Sequence, residues 1–503
     1  MLKRISPALT FTIVSLLVTG CQPAEVSPSN QSMATETVTP AQTQLLNGLT
    51  PPVRIMNRPA QTQSLAQRLE HHQVPGVSIA MMQNGRIAWT LEHGAKDLTT
   101  GQPVDSDTVF QAGSISKPTF AAVLMKYRET HGLDLDADVN GLLTSWQVPA
   151  HPWSDQDPVT LRRLLSHSAG TTVHGFPGYA QGEAIPTLVQ VLDGAPPANT
   201  AAVVVDIKPG STMRYSGGGT TIAQLLLQDV SSQPLPSMAE QLLFSPLGMT
   251  RSGFTQPISA ELATNIATPY DDAGNPVEGG AHTYATLAAA GMWSTPSDLL
   301  RLGAEIRQSY LTDNKENWLS QASATDMLTS NSPTGSPPHV GIGFFLHKKD
   351  NQLIGFAHGG ADAGFMSQFY LEIETGNGYA IMTNGDNGRQ LIRELEIRIK
   401  EAFNIGYEEP TYKTIPETPD KVIAEYLGTY RVTSPVEVDI VLSPAPEGFR
   451  LTALPYIDNE MHWHEGNGRF FALDGSTIHF ERNDDGQITT LVMDNRIRGT
   501  RQQ

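Results

Sequence analysis

The strongest constraint on the fold is strand-like sequence at both ends of one long segment whose middle is helical. Residues 77–83 and 86–91 are apolar runs joined by Asn84-Gly85. Asn-Gly tolerates positive φ at both turn positions and is the strongest short signal for a hairpin. A second hairpin-like segment through Val109 can follow, and strand-like runs return at 341–346, 366–372 and 379–383. Between them Phe120, Val123, Leu124 and Tyr127 fall at helical spacing, and Gly132 follows as a stop. Further helical stretches lie at 161–166, 221–230, 236–244 and 296–306. A hairpin, then helices, then strands predicts an α+β domain. Its antiparallel sheet, flanked by helices, gathers both ends of the domain.

The 503 residues are too many for one ordinary core, and the pattern changes near residue 410. Glu408-Glu409-Pro410 and Pro416-Glu417-Thr418-Pro419 read as a linker. Short strand-like runs follow at 428–432, 436–442, 449–454, 469–473, 477–481 and 488–493. Glu447-Gly448, Asp474-Gly475 and Asp485-Gly486 punctuate them, which predicts a small all-β domain, a barrel or a sandwich. Tyr456, His462, Trp463 and His464 read as a surface turn within it. The expected division is a leader at 1–21, a flexible tether at 22–60, the α+β domain at 61–408, a linker at 409–421 and the β domain at 422–503.

Lys3 and Arg4 precede an apolar stretch at 8–18 that is short for a membrane span. It ends in Leu17-Val18-Thr19-Gly20-Cys21, which resembles a bacterial lipobox. Cys21 is the only cysteine, so internal disulfides and cysteine metal sites are ruled out. The formal net charge of −18 repels phosphates, so nucleic acid is not an expected partner. The same charge discourages docking on anionic lipid, so attachment to a membrane requires an anchor. The expectation is lipidation at Cys21 and residence in the bacterial envelope. Gln22 leans towards the periplasmic face of the outer membrane.

Ser114-Ile115-Ser116-Lys117 is a Ser-x-x-Lys at a strand-to-helix junction. Three residues of helix bring the Lys onto the same face as the Ser. A serine hydroxyl attacks poorly unless a neighbour accepts its proton, and a helix N-terminus adds a favourable dipole. By itself the motif also describes a helix cap followed by a surface Lys. No His-Glu-x-x-His and no Gly-x-Ser-x-Gly occurs, which excludes zincins and α/β-hydrolase elbows. His71 and His72 are helix neighbours that point apart and do not suit one metal.

The wider pattern resembles the class C β-lactamase-like serine hydrolases. Phe110-Gln-Ala-Gly-Ser-Ile-Ser-Lys-Pro118 resembles their nucleophile motif, Tyr215-Ser216-Gly217 their Tyr-x-Asn element, and His358-Gly359-Gly360 their Lys-Thr-Gly or His-x-Gly element. The stretches 164–170, 246–250 and 289–298 agree, so the resemblance covers roughly residues 60 to 405. It implies a β-lactamase/transpeptidase-like fold. Ser114 would be the nucleophile, and Lys117 and Tyr215 would share the proton work, with the general base open between them. The backbone N–H groups of Ser114 and Ala361 would form the oxyanion hole. His358, Gly359, Gly360 and Gly217 would bind substrate, and His167 would be a conformational support. The loops near 173–180 and 278–284 would line the pocket. The β domain resembles lipocalin-like domains appended to such hydrolases, which would cover the site's mouth or aid assembly.

Two departures bear on substrate. Gly217 stands where a class C β-lactamase has an Asn that binds the substrate amide, which implies a more open pocket. His358 replaces a Lys, which weakens the fixed positive charge that would hold a carboxylate. The expected reaction is hydrolysis through an acyl-serine, with no metal or organic cofactor. The substrates, in falling order, are an ester, a D-amino-acid peptide and a β-lactam, with a small-molecule or peptidoglycan-like acyl group. The alternatives are a D-alanyl-D-alanine carboxypeptidase of the penicillin-binding type and a catalytically silent envelope binding protein.

Overall fold

The computed structural model describes residues 39–502, apart from 336, 418, 419, 435 and 455. The leader, the lipidation site Cys21 and most of the tether lie outside the described residues.

Among the described residues, eight strands form one sheet in the order Gln102–Pro103, Arg86–Asp97, Gly76–Gln83, Gly378–Thr383, Phe365–Glu372, Gln352–Asp362, Phe345–Lys349, His339–Val340. Each neighbouring pair is antiparallel. The N-terminal hairpin thus sits beside the last strand of its domain, as the pattern predicts. Both faces of the central strands are covered. In Gly76–Gln83, Val77, Ile79 and Met81 enter one core while Ala80 and Met82 enter the other. A strand buried on both faces reads as a continuous apolar run. The larger core packs Ser116–His131, Gly217–Ser231 and Pro296–Leu311 on one face. The smaller packs Pro40–Asn47, Leu65–His71 and Gly388–Phe403 on the other. On that side Arg68 makes a buried two-point ion pair with Glu394, whose pKa falls below the ordinary value although burial opposes this.

The ordered body begins earlier than the tether boundary at residue 60 implies. Pro40–Asn47 is a helix with Leu45 buried. Val53–Ile55 pairs in parallel with Thr411–Lys413, inside the expected linker. Leu45, Leu49 and Val53 supply the apolar anchors. Only Leu45 of the three lies in the helix, so their even spacing is not one helical face.

The C-terminal region is a closed eight-stranded barrel, from Gly428–Val432 to Ile497–Arg501, which pair with each other. Tyr430, Phe449, Leu451, Phe470 and Leu491 fill its interior. The surface turn expected near Tyr456 holds only at its start. His462, Trp463 and His464 lie on the strand Ile457–Gly466, and His462 and His464 are buried. His462 stacks on Phe449 with ring centroids 5.6 Å apart. The barrel meets the body through Val53 N–H, which donates to the Leu473 carbonyl at 3.0 Å, and through the ion pairs Arg58–Glu447 and Lys413–Glu465.

Candidate active site

The nucleophile candidate stands on a tight turn. Gly113–Ile115 is a 3-10 turn that runs directly into the helix Ser116–His131. Gly113 has φ 52°, the left-handed region that glycine tolerates, and its Cα packs against Ala361. Ser116 Oγ donates to the Gly113 carbonyl at 2.6 Å and accepts from Met292 N–H at 3.0 Å, which pins the turn. Pro118 lies in the first helical turn, where a missing N–H is not felt.

The helix points Lys117 back at Ser114. Lys117 Nζ donates to Ser114 Oγ at 2.9 Å and to the Ala289 carbonyl at 2.7 Å, and its side chain is buried. It also lies 4.9 Å from the centre of the Tyr215 ring. Tyr215 is held by rings on each side. His167 is 4.3 Å away, His174 4.9 Å, and Phe345 stacks at 6.2 Å. His167 is buried, and its Nδ1 accepts the Ser216 N–H at 3.2 Å. Burial, with Lys117 next, drives its pKa well below the ordinary histidine value, so it is a neutral support beneath Tyr215.

Ser114, Lys117, Tyr215, His358, Gly359, Gly360 and Ala361 line one cavity of about 820 Å³. Five expected features change in detail. Gly217 is not in the lining: a Cβ there would stand 3.0 Å from the Phe176 ring and 3.2 Å from the His174 carbonyl. The space an Asn would use is occupied by Phe176, so the pocket gains an apolar wall rather than an opening. Gly360 is required by the protein itself, because a Cβ would overlap the Ala112 carbonyl. His358 is 2% exposed, and burial, then Lys117, pushes its pKa down to about 3, so it is not a part-time cation. The loop 278–284 does not line the cavity; His282 Nδ1 meets the Pro177 carbonyl at 2.9 Å, so it braces the lining loop 174–176. The barrel, expected to cover the mouth or aid assembly, supplies none of the described lining residues.

The loop 171–176 sits directly on the helix Gly217–Ser231. Gly217 N–H donates to the His174 carbonyl and Gly218 N–H to the Val173 carbonyl, both at 3.0 Å, while Gly219 N–H donates to Ser216 Oγ at 2.9 Å. These are donors that a helix start otherwise leaves open. Sequence reasoning missed the cavity's distant wall. Lys348 reaches it from a strand, Arg389 from a helix and Tyr407 from the loop after that helix, and no local spacing announces them. Among the described residues no cluster suits a metal ion. The arrangement brings a serine hydroxyl, a lysine amine and a tyrosine ring together at one cavity.

Fold and site together define a serine hydrolase of the β-lactamase/transpeptidase class. The chain belongs to the family described as Beta-lactamase, whose model matches residues 62–402. It is 28% identical to Penicillin-binding protein 4 of Amycolatopsis lactamdurans, over 67% of this chain and 90% of that one. It is 27% identical to Esterase EstB of Burkholderia gladioli, over 41% of this chain and 53% of that one. In fold it is similar to the octameric penicillin-binding protein homologue from Pyrococcus abyssi, with TM-score 0.57 and 20% identity over 86% of this chain and 98% of that one.

Proposed function

We propose that Ser114 is the nucleophile of an acyl-transfer hydrolase whose first substrates are esters, followed by D-amino-acid peptides and, least efficiently, β-lactams. Ser114 Oγ attacks the carbonyl while its proton passes to the Lys117–Tyr215 pair. The N–H groups of Ser114 and Ala361 hold the oxyanion, and the pair returns the proton to the leaving group. Water then attacks the acyl-serine by the reverse route. The observation that carries this reading is the 2.9 Å contact from Lys117 Nζ to Ser114 Oγ inside a cavity that also holds Tyr215 and Ala361.

The lining supports the order of substrates. Phe176 stands where an amide-binding side chain would be, which favours a plain acyl group. The cations Lys117, Lys348 and Arg389 line the cavity, and no Asp or Glu is among the described lining residues. In a chain of net charge −18 this makes a local positive basin for a substrate with a negative group. Lys348 and Arg389 take that group, and the peptidase reading gains from the same feature. The test is intact-protein mass spectrometry with a penicillin, a D-alanyl-D-alanine thioester and a short-chain aryl ester. A mass gain that Ser114→Ala abolishes is expected, largest in rate for the aryl ester. No adduct and no turnover with any of them would instead favour a silent binding protein.

The basic residues Lys3 and Arg4, the apolar run and the lone Cys21 support lipid anchoring in the envelope. Palmitate labelling of the full chain that is lost in Cys21→Ala is the expected result.

A further inference from the structure

Side chains along Gln352–Asp362 alternate between the two faces of the sheet. Phe356 enters the larger core, with the helix that carries Lys117, and Ala357 enters the smaller. His358 and Gly360 therefore belong to the nucleophile's face. Gly359 belongs to the far face, where it stands opposite Gln368. The neighbouring strand Phe345–Lys349 pairs with this one only as far as Ala357. Past that point residues 358–361 form an open edge, with no strand on that side among the described residues. The cavity holds Ser114 and Lys117 on one face and Gln368, Arg389 and Tyr407 on the other, so it passes round this edge. Gly359 lines the crossing without a side chain to narrow it. Three donors meet beyond it. Tyr407 Oη accepts from Gln368 Nε2 at 3.2 Å, so its own proton is left for another acceptor, and none is found among the described residues. Lys348 and Arg389 have no ion-pair partner there either, and Glu408 pairs with Arg393 at 3.9 Å. Arg389 is exposed and Lys348 and Tyr407 are half-buried, so all three are open to a ligand. His347 stacks on Tyr407 at 3.9 Å and fixes its ring.

We propose that Lys348, Arg389 and the Tyr407 hydroxyl form a far subsite, so that the enzyme takes esters with a chain that lies round the strand edge and ends in a carboxylate. This rests on the acyl-hydrolase reading above and adds to it where on the substrate the charge must be. A carboxylate next to the scissile carbonyl stays on the nucleophile's face and does not reach these donors. Reaching the far face takes a chain on the order of 10 Å long, the thickness of one sheet layer. Tyr407 lies past residue 402, where the match to the Beta-lactamase family ends, so the subsite draws on sequence outside the family's domain.

The test uses the mono-p-nitrophenyl esters of succinic and sebacic acid, with the charge on the acyl side. It also uses the acetate esters of glycolic and ω-hydroxydecanoic acid, with the charge on the leaving side. Each is matched with the same compound ending in a carboxamide. In the wild type the carboxylate is expected to lead its carboxamide by about tenfold in kcat/KM for the long member of at least one series, the scale of a hydrogen bond to a charged group. For the short members the lead stays below about twofold. The long-chain lead lies in KM, falls in Tyr407→Phe, and disappears when Lys348→Met and Arg389→Met are combined. An equal lead at both lengths overturns the proposal, because the charge then acts on the nucleophile's face. No lead at either length in both series overturns it too, as does a long-chain lead that survives the combined variant. A second measurement needs no turnover. Monomethyl sebacate is expected to bind Ser114→Ala in titration calorimetry and to lose about tenfold in affinity when Arg389→Met is added. No binding, or binding indifferent to Arg389→Met, overturns the proposal. Failure of every ester to acylate Ser114 would overturn the acyl-hydrolase reading instead, and the calorimetry would still decide the subsite.

Discussion

Residue 360 stands at the tightest point of the site. The strand carrying Ala361 runs so close to the residues before Ser114 that any side chain at 360 would meet the Ala112 carbonyl and Ser367 Oγ. Ala112 in turn accepts from Ser367 Oγ at 2.9 Å, so it has little freedom to retreat. Gly360→Ala is therefore expected to push the oxyanion strand away from the nucleophile turn. A displacement of about 1 Å costs on the order of a hundredfold in rate. The expected result is a folded protein with the same far-UV spectrum and a roughly hundredfold slower burst of aryl-ester acylation. An unchanged burst would show that the strand does not position the carbonyl. Tyr215 gives a complementary case. Tyr215→Phe keeps the ring that packs between His167, His174 and Phe345 and removes only the hydroxyl. If that hydroxyl moves the proton, kcat falls by about 10²–10⁴ with KM little changed. A fall confined to KM would reduce Tyr215 to a wall of the pocket.

The unit that sets the pocket's shape is the loop 171–176 resting on the first turn of Gly217–Ser231. Three successive glycines let it do so. A Cβ on Gly218 would stand 2.8 Å from the Thr172 carbonyl and from Val203, and one on Gly219 2.8 Å from Thr171 Oγ1. Gly218→Ala is expected to destabilise the protein by ~1–3 kcal/mol, the usual cost of overpacking, read by chemical denaturation. Phe176→Ala leaves the helix contact intact and removes the apolar wall. It should raise kcat/KM for a penicillin by about tenfold while leaving an aryl acetate unaffected, the scale of a pocket changed by a few carbons. Equal changes for both substrates would mean that Phe176 does not discriminate between them. The glycine triplet itself is visible in the sequence, but its reason is not, because the loop it admits lies some forty residues earlier in the chain (Gly217 against His174). Ser114 and Lys117 are legible for the opposite reason: three residues of helix are enough to join them. Tyr215, His358 and Ala361 were placed through resemblance, since only the sheet and two helices bring them together. The strand Gln352–Asp362 is masked in the sequence by Gly355, Gly359 and Gly360, residues that weaken strand propensity. The helix Gly388–Phe403 is plainly periodic at Leu391, Leu395 and Ile399, though not among those expected, and it brings Arg389 to the cavity.

At the scale of the molecule, buried ionisable groups on both sides of the body–barrel boundary set how stability varies with pH. Burial raises the Glu396 carboxyl from 4.5 to about 8, although the Tyr379 hydroxyl donates to it at 2.7 Å. Glu460 in the barrel is likewise raised to about 8 by burial and by Asp474 and Asp494. Between pH 4.5 and 8 the folded protein therefore holds protons that the unfolded chain has released. Stability from these groups is complete below about pH 4.5 and falls as pH rises through 8. His358 and His462 run the other way. Their pKa values, about 3 and about 4, lie below 6.5, so the unfolded chain binds the extra protons and stability falls as pH drops below 6.5. The two slopes oppose each other between 4.5 and 6.5, and the decline left above 6.5 is that of the raised carboxyls, with buried Asp362 alongside the two glutamates. Each such carboxyl costs ~1.4 kcal/mol per pH unit within its window. Glu396→Gln removes one of them and keeps an acceptor for Tyr379. The variant should melt several degrees above wild type at pH 9 and near wild type at pH 5, measured by calorimetry in matched salt. The same gain at both pH values would mean that better packing, not a buried proton, is the cause. Since Glu396 is not among the described lining of the cavity, the variant should also keep wild-type kcat/KM at pH 7, which separates a stability effect from a catalytic one.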